Sequence, residues 1–279
     1  MKKNSRSVSF KIGILDWGIG GLSVLKKIIE NHNSCINKFG IDIVYFSDSG
    51  SIPYGKLSVL DLRSRLEKIF QTLQADGVSL IIVACNAAST VIINETHYQD
   101  IPIINVISPT LEYCKNLADN NLGIIGGQRT IDSNIYKVGI ESNSNIKVHQ
   151  SVAQPLSALI EEGKVQKVDV APYLEPIMAP LLFENISSLV LACTHYPALN
   201  PLFTELYPQL TLINPADFVF SKMKGLLSYK EDSLRKDQES LKEIIDVKYK
   251  TTGNHILMRK SAQLAFQWEI NNIETMLLN

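Results

Sequence analysis

The 279-residue sequence contains no run of 18 apolar residues, so it offers no membrane-spanning helix. Its charges nearly cancel, 27 Lys and Arg against 28 Asp and Glu, for a net charge of −1. That balance gives no electrostatic basis for holding nucleic acid or an anionic membrane surface. The N-terminal stretch MKKNSRSVSFKIGIL has two early lysines but only a short apolar stretch, broken by Lys11 and closed by Asp16. It lacks the apolar core and cleavage site of a signal peptide, and a cytoplasmic protein with reduced thiols is expected. Cysteine is sparse. Of the four, none stands in CxxC spacing, so no zinc site is expected, and Cys35 and Cys114, outside any motif, read as structural. A GxGxxG dinucleotide fingerprint starting at Gly18 would need glycine at Ser23, and it is missing. No Gly/Ser-rich or Pro-rich linker divides the chain.

What is present is a repeat. Residues 79–89 (SLIIVACNAAS) hold a short Ile/Val-rich run that ends abruptly in Cys85-Asn86. Such a run reads as a central strand of a parallel sheet, and ligands bind at the carboxyl ends of those strands. Residues 187–197 (SSLVLACTHYP) repeat the pattern around Cys193, which is 193 − 85 = 108 positions further on. A second pair matches: KIGIL before the glycines of residues 16–21, and NLGII before Gly126-Gly127, with Gly13 and Gly123 lying 123 − 13 = 110 positions apart. The length suits two domains, and the composition, 45% apolar and 20% charged, supplies a substantial core. The expected fold class is α/β, with two pseudo-symmetric domains, each a mainly parallel sheet flanked by helices, and a site in the cleft between them. The first domain is placed at residues 1–107 plus 218–279 and carries Cys85; the second, at 108–217, carries Cys193.

Taken in order, residues 1–9 read as a frayed tail and 10–15 as the first strand, with DWGIGG turning into a helix over 22–31. The glycines either permit a tight strand-to-helix turn or present backbone N–H groups to an anion. A second strand at 41–46 leads to a loop ending in Ile52-Pro53-Tyr54-Gly55, followed by a helix over 58–75. After the Cys85 strand a helix is expected over 87–99, a strand over 101–107 and a helix start at 109–117. The second half is expected to hold strands at 121–125 and 146–150, a helix at 131–138 and a short segment at 155–162. Residues 170–183 read as broken helical pieces because of Pro172, Pro176 and Pro180. The Cys193 strand, a helix from about 197 and a strand at 210–214 complete this half. Residues 221–243 read as helical, and 247–268, without a motif, are expected to pack back on the first half.

Two thiols at matched strand ends point to acid–base chemistry. A lone buried cysteine is usually a small hydrophobe. Here both precede a helix start, whose dipole and N–H groups favour a thiolate, and His195 lies two positions beyond Cys193. One thiolate could take a proton from carbon while the opposed thiol delivers one to the other face, which inverts a stereocentre without a cofactor. A nucleophilic Cys-His hydrolase is the competing reading, but it uses only one of the two cysteines.

The residues DWGIGGLS at 16–23, Ser47-Asp48 with Pro53-Tyr54-Gly55, Ala84-Cys85-Asn86 and CTHYP at 193–197 together resemble the motifs of glutamate racemases, in the aspartate/glutamate racemase superfamily. The resemblance covers about residues 10–215. It implies a cofactor-independent two-base racemase, a homodimer of the bacterial cytoplasm, supplying D-glutamate for peptidoglycan. By position, Cys85 would act on D-glutamate with support from Asp16, and Cys193 on L-glutamate with support from His195. Glu161 falls where the family has an assisting glutamate; one residue is missing between Pro155 and Glu161, which leaves Glu162 as the alternative. Tyr54, Gly55, Asn86, Thr130 and Thr194 match substrate-contacting positions. Three positions depart from the pattern: a serine is replaced by Trp17, a threonine by Ala87, and the first threonine of an ATxxT loop by Gly127. Each departure removes a hydroxyl, and a hydrogen bond to a charged group contributes ~1.5–3 kcal/mol. The expectation is intact proton-transfer machinery behind an altered substrate surface. Two alternatives stay open: an isomerase of another amino or carboxylic acid, or a catalytically weak relative that binds a ligand.

Overall fold

A computed structural model of the chain describes residues 10–31, 41–234 and 245–278. The tail at 1–9, Cys35 and the end of the helix expected to reach 243 lie outside the described residues. The first half contains β1 (Phe10–Asp16), α1 (Leu22–Asn31), β2 (Ile41–Ser47), α2 (Val59–Ala75), β3 (Leu80–Val83), α3 (Asn86–Val91), β4 (His97–Tyr98), β5 (Ile101–Asn105) and α4 (Ile107–Cys114). The second contains β6 (Asn121–Gly126), α5 (Gln128–Asp132), α6 (Ile135–Glu141), β7 (Lys147–Val152), α7 (Gln154–Glu161), α8 (Lys167–Phe183), β8 (Ser188–Ala192), α9 (Asn200–Leu206) and β9 (Thr211–Ile213). The chain ends with α10 (Pro215–Leu234), β10 (Ile245–Thr251), α11 (His255–Phe266) and β11 (Ile273–Thr275).

Two sheets result. One has the order β11-β10-β2-β1-β3-β5-β4 and is parallel except where the short β4 runs against β5; the other, β7-β6-β8-β9, is parallel throughout. The repeat read from the sequence is the centre of each. β2-β1-β3 corresponds to β7-β6-β8, and β1 and β6 are the strands from which the order runs both ways. β3 and β8 are buried along their whole length, as their unbroken apolar runs require. The motif-free tail joins the first sheet: β10 pairs with β2 in parallel, with Tyr249 opposite Tyr45.

Three helices differ from expectation. The helix after Cys85 stops at Val91, and residues 97–98 form β4 instead of helix. The β-branched run Thr90-Val91-Ile92-Ile93 crowds a helical turn, and the Ser89 hydroxyl bonds the Val83 carbonyl. The helix expected at 131–138 is two helices, because Asn134 adopts φ 52°, a left-handed conformation that asparagine tolerates. Conversely, the three-proline segment is one continuous helix. Pro172, Pro176 and Pro180 recur every fourth residue on its exposed side, so the missing N–H bonds fall on one wet face while Leu174, Ile177, Met178 and Leu181 are buried opposite.

The loop after β2 is fixed by one buried carboxylate. Asp48 is fully buried, and Arg65 of α2 grips it with two bonds of 2.9 and 2.6 Å. Tyr54 Oη and Thr252 Oγ1 also donate to it, at 2.8 and 2.7 Å. The network ties the tail to the loop that carries Tyr54 and Gly55. Arg65→Met leaves the carboxylate without its cation. It is expected to lower stability by about 3 kcal/mol or more, read as a fall in the urea midpoint at constant slope.

Candidate active site

The carboxyl ends of β1, β3, β6 and β8 face one another across a cleft of about 500 Å³. All twelve residues singled out from the sequence line it. Asp16 closes β1 and is fully buried. Its carboxylate accepts from the backbone N–H of Trp17 at 2.8 Å and of Gly21, and from the Thr194 hydroxyl at 3.1 Å. Burial pushes the Asp16 carboxyl up, against the pull of His195 and the Trp17 N–H. Asp16 and the Cys85 thiol line the same wall of the cleft, close enough for the carboxyl group to raise the thiol.

Cys85 is the N-cap residue of α3, so its thiol stands near the first N–H groups of that helix. That placement favours the thiolate, but desolvation and the nearby Asp16 prevail and hold the Cys85 thiol well above its ordinary range. On the opposite wall Cys193 Sγ lies 3.6 Å from His195 Nδ1, and His195 Nε2 lies 2.6 Å from Glu161 Oε1. Burial opposes a charged His195, yet its bonds to Cys193 and Glu161 outweigh that and raise the imidazole well above its usual value. In the imidazolium form the ring donates to Glu161 and toward the Cys193 sulfur. The same Glu161 oxygen accepts the Ile19 N–H at 2.7 Å, so it links the glycine turn after β1 to His195. Glu162, by contrast, is exposed and pairs with Lys164.

The glycines of the DWGIGG turn are there for close approach, not for left-handed backbone. A Cβ on Gly18 would fall 1.8 Å from Glu161 Oε1, and one on Gly20 would fall 2.5 Å from His195 Nδ1. The turn is one place where the two halves touch.

The three departures lie on the same walls. The Trp17 indole N–H donates to the Ser51 carbonyl at 3.1 Å, so its ring borders the cleft while its donor is used elsewhere. Ala87 offers only a methyl group. Gly127 caps α5 without a side chain, and Gln154 Oε1, 3.0 Å from where a Gly127 Cβ would lie, accepts the Gln128 N–H at 3.1 Å. Thr130 is buried beside it, and Tyr54 spends its hydroxyl on Asp48.

Sequence reasoning missed several residues. Arg129 joins the halves by donating to the carbonyls of Tyr54, at 3.0 Å, and Leu57. From α11 and its cap, Asn254, Leu257, Met258 and Ser261 line the cleft, and Ser261 Oγ donates to the Glu161 carbonyl. Nothing in their local sequence marks them, since their position depends on β10 joining β2.

A pair of parallel α/β sheets that deliver one cysteine each to a shared cleft, one beside a carboxyl group and one beside a histidine, defines a two-domain isomerase of the racemase type. Residues 12–222 match the family model for Asp/Glu/Hydantoin racemases. The glutamate racemase of Shouchella clausii is 33% identical over 226 residues, 80% of this chain and 79% of that protein. The structure of the Francisella tularensis glutamate racemase in complex with D-glutamate superposes with a TM-score of 0.82 at 27% identity, covering 97% of this chain and 98% of that one. The Bacillus anthracis glutamate racemase isoform RacE1 gives the same TM-score and identity, over 98% and 99%. The chain belongs to the Asp/Glu/Hydantoin racemase family.

Two outcomes follow from this geometry. Gly18→Ala pushes Glu161 off His195, and turnover is expected to fall at least tenfold, roughly the worth of one charge-assisted hydrogen bond, with the circular-dichroism spectrum unchanged. Iodoacetamide is expected to label Cys85 slowly at pH 7, and faster by about tenfold per pH unit up to pH 9, because only the thiolate reacts. Peptide mapping by mass spectrometry reads the rate, and a pH-independent rate would contradict the raised thiol.

Proposed function

We propose that this protein interconverts L-glutamate and D-glutamate by a two-base mechanism that needs no cofactor. The observation that carries the reading is the placement of Cys85 near Asp16 on one wall and of Cys193 beside His195 and Glu161 on the other. In the L-to-D direction the Cys193 thiolate takes the Cα proton. The Cys85 thiol then gives its proton to the opposite face, leaving Cys193 protonated and Cys85 as the thiolate. The reverse direction exchanges the roles. Protonated His195 stabilises charge on Cys193, and Asp16 attends Cys85. Asn86, Thr130, Thr194 and the Tyr54-Gly55 turn hold the substrate, beside Trp17 and Ala87.

The domain boundaries fall near 107 and 217, with the C-terminal segment completing the first domain. The protein works as a homodimer in the cytoplasm, and its product is D-glutamate for peptidoglycan. The named relatives and the D-glutamate bound by the Francisella protein support this substrate. Trp17 favours a second reading, a different amino or carboxylic acid, because it adds apolar bulk where its hydrogen-bonding group is already engaged.

Incubation with each glutamate enantiomer in D₂O, followed by NMR at Cα, tests both readings. Exchange from both enantiomers, abolished in Cys85→Ala and in Cys193→Ala, is the expected result. Folded wild-type protein that exchanges neither enantiomer rules out glutamate and moves the choice to the second reading.

A further inference from the structure

Tyr136 lies on α6, in the half that carries Cys193, yet its hydroxyl donates to Asn86 Oδ1 on α3, in the half that carries Cys85, at 2.8 Å. Both residues are buried, Tyr136 completely. Asn86 follows Cys85 directly and lines the cleft. With Oδ1 engaged by Tyr136, the other end of the carboxamide, Nδ2, is buried and has no protein partner. A desolvated N–H₂ group left open is unfavourable, and in a cleft it marks a place for an acceptor. We propose that Tyr136 is a positioning residue that holds the Asn86 carboxamide with Nδ2 toward the cleft, where it receives a carboxylate oxygen of the substrate. The inference rests on the racemase reading above.

The alternative orientation is disfavoured by charge. Turned over, the amide would present Oδ1 to a cleft that already contains Asp16 and two thiols and must accept a carboxylate. Burial pushes the Tyr136 phenol up, so it stays protonated and keeps its proton available to Oδ1. Because donor and acceptor come from opposite halves, the alignment exists only at the separation of the halves seen here. Tyr136 thereby links substrate affinity to the relative placement of the two sheets.

Tyr136→Phe keeps the ring and removes the hydroxyl. KM for glutamate is expected to rise about tenfold, the effect of one lost hydrogen bond at the upper end of its usual range, with kcat changed far less and the melting temperature nearly constant. In the Tyr136→Phe/Asn86→Ala double variant the loss is expected to equal that of Asn86→Ala alone, since Tyr136 acts through Asn86. An unchanged KM in Tyr136→Phe, or effects that multiply in the double variant, would overturn the proposal. A wild-type measurement covers the cases in which the variant fails to fold or glutamate is not turned over. Once assigned by NMR, the Asn86 Nδ2 protons should show no strong cross-relaxation with the Tyr136 ring, because they point away from it. Strong cross-relaxation means the reverse orientation and refutes the proposal, whereas wild-type protein silent toward glutamate removes only the assumed substrate.

Discussion

The structure depends on the close contact between the glycine turn after β1 and the end of β8. Gly18 and Gly20 leave room for Glu161, His195 and Thr194 to come against the backbone of the other half. Asp16, at the head of that turn, is satisfied partly by its own loop and partly by Thr194 across the cleft. A buried carboxyl group is expensive unless its oxygens are bonded, so Asp16 and Thr194 hold each other in register. The same turn offers the Ile19 N–H to Glu161, and Glu161 holds His195. The contact between the halves and the positioning of the groups beside the thiols are therefore one network.

That network treats its two cysteines unequally. Cys85 is held high by desolvation and by the nearby carboxyl group of Asp16. Cys193 faces an imidazole that Glu161 helps to keep charged. The two walls therefore differ in character, a desolvated carboxyl group beside Cys85 and an ion-paired imidazole beside Cys193.

Much of this was legible in the sequence because it is local. The buried runs at β3 and β8, the glycines after β1 and the residues adjoining each cysteine are set within a few positions, and the 108-residue offset shows that the pattern occurs twice. Two kinds of feature were hidden. Helix ends at Val91 and Asn134 depend on a β-branched run and on a left-handed asparagine, which blur a periodic signal. The proline-bearing α8 reads as broken when each proline is taken alone. The spacing of four matters more, since it gathers the lost bonds on the solvent side. The contributions of α11 and Arg129 were hidden for another reason. They rest on long-range pairing, β10 on β2 and α5 on the loop at 54–57, which no local spacing encodes.

The departures at Trp17, Ala87 and Gly127 are unequal as well, once their neighbours are counted. At Gly127, Gln154 reaches across and supplies an acceptor to the first N–H of α5, in space that a side chain at 127 would contest. The helix start is thereby capped, and α5 keeps Thr130 on the cleft wall. Nothing compensates at Ala87, but its neighbour Asn86 still presents an open donor there, anchored by Tyr136. Trp17 is the departure with no substitute, because its N–H is turned to Ser51 and its ring occupies the border of the cleft. Trp17 thus sets the bulk and polarity of its border of the cleft, while Cys85 near Asp16 and Cys193 beside His195 face that cleft from the two sheets.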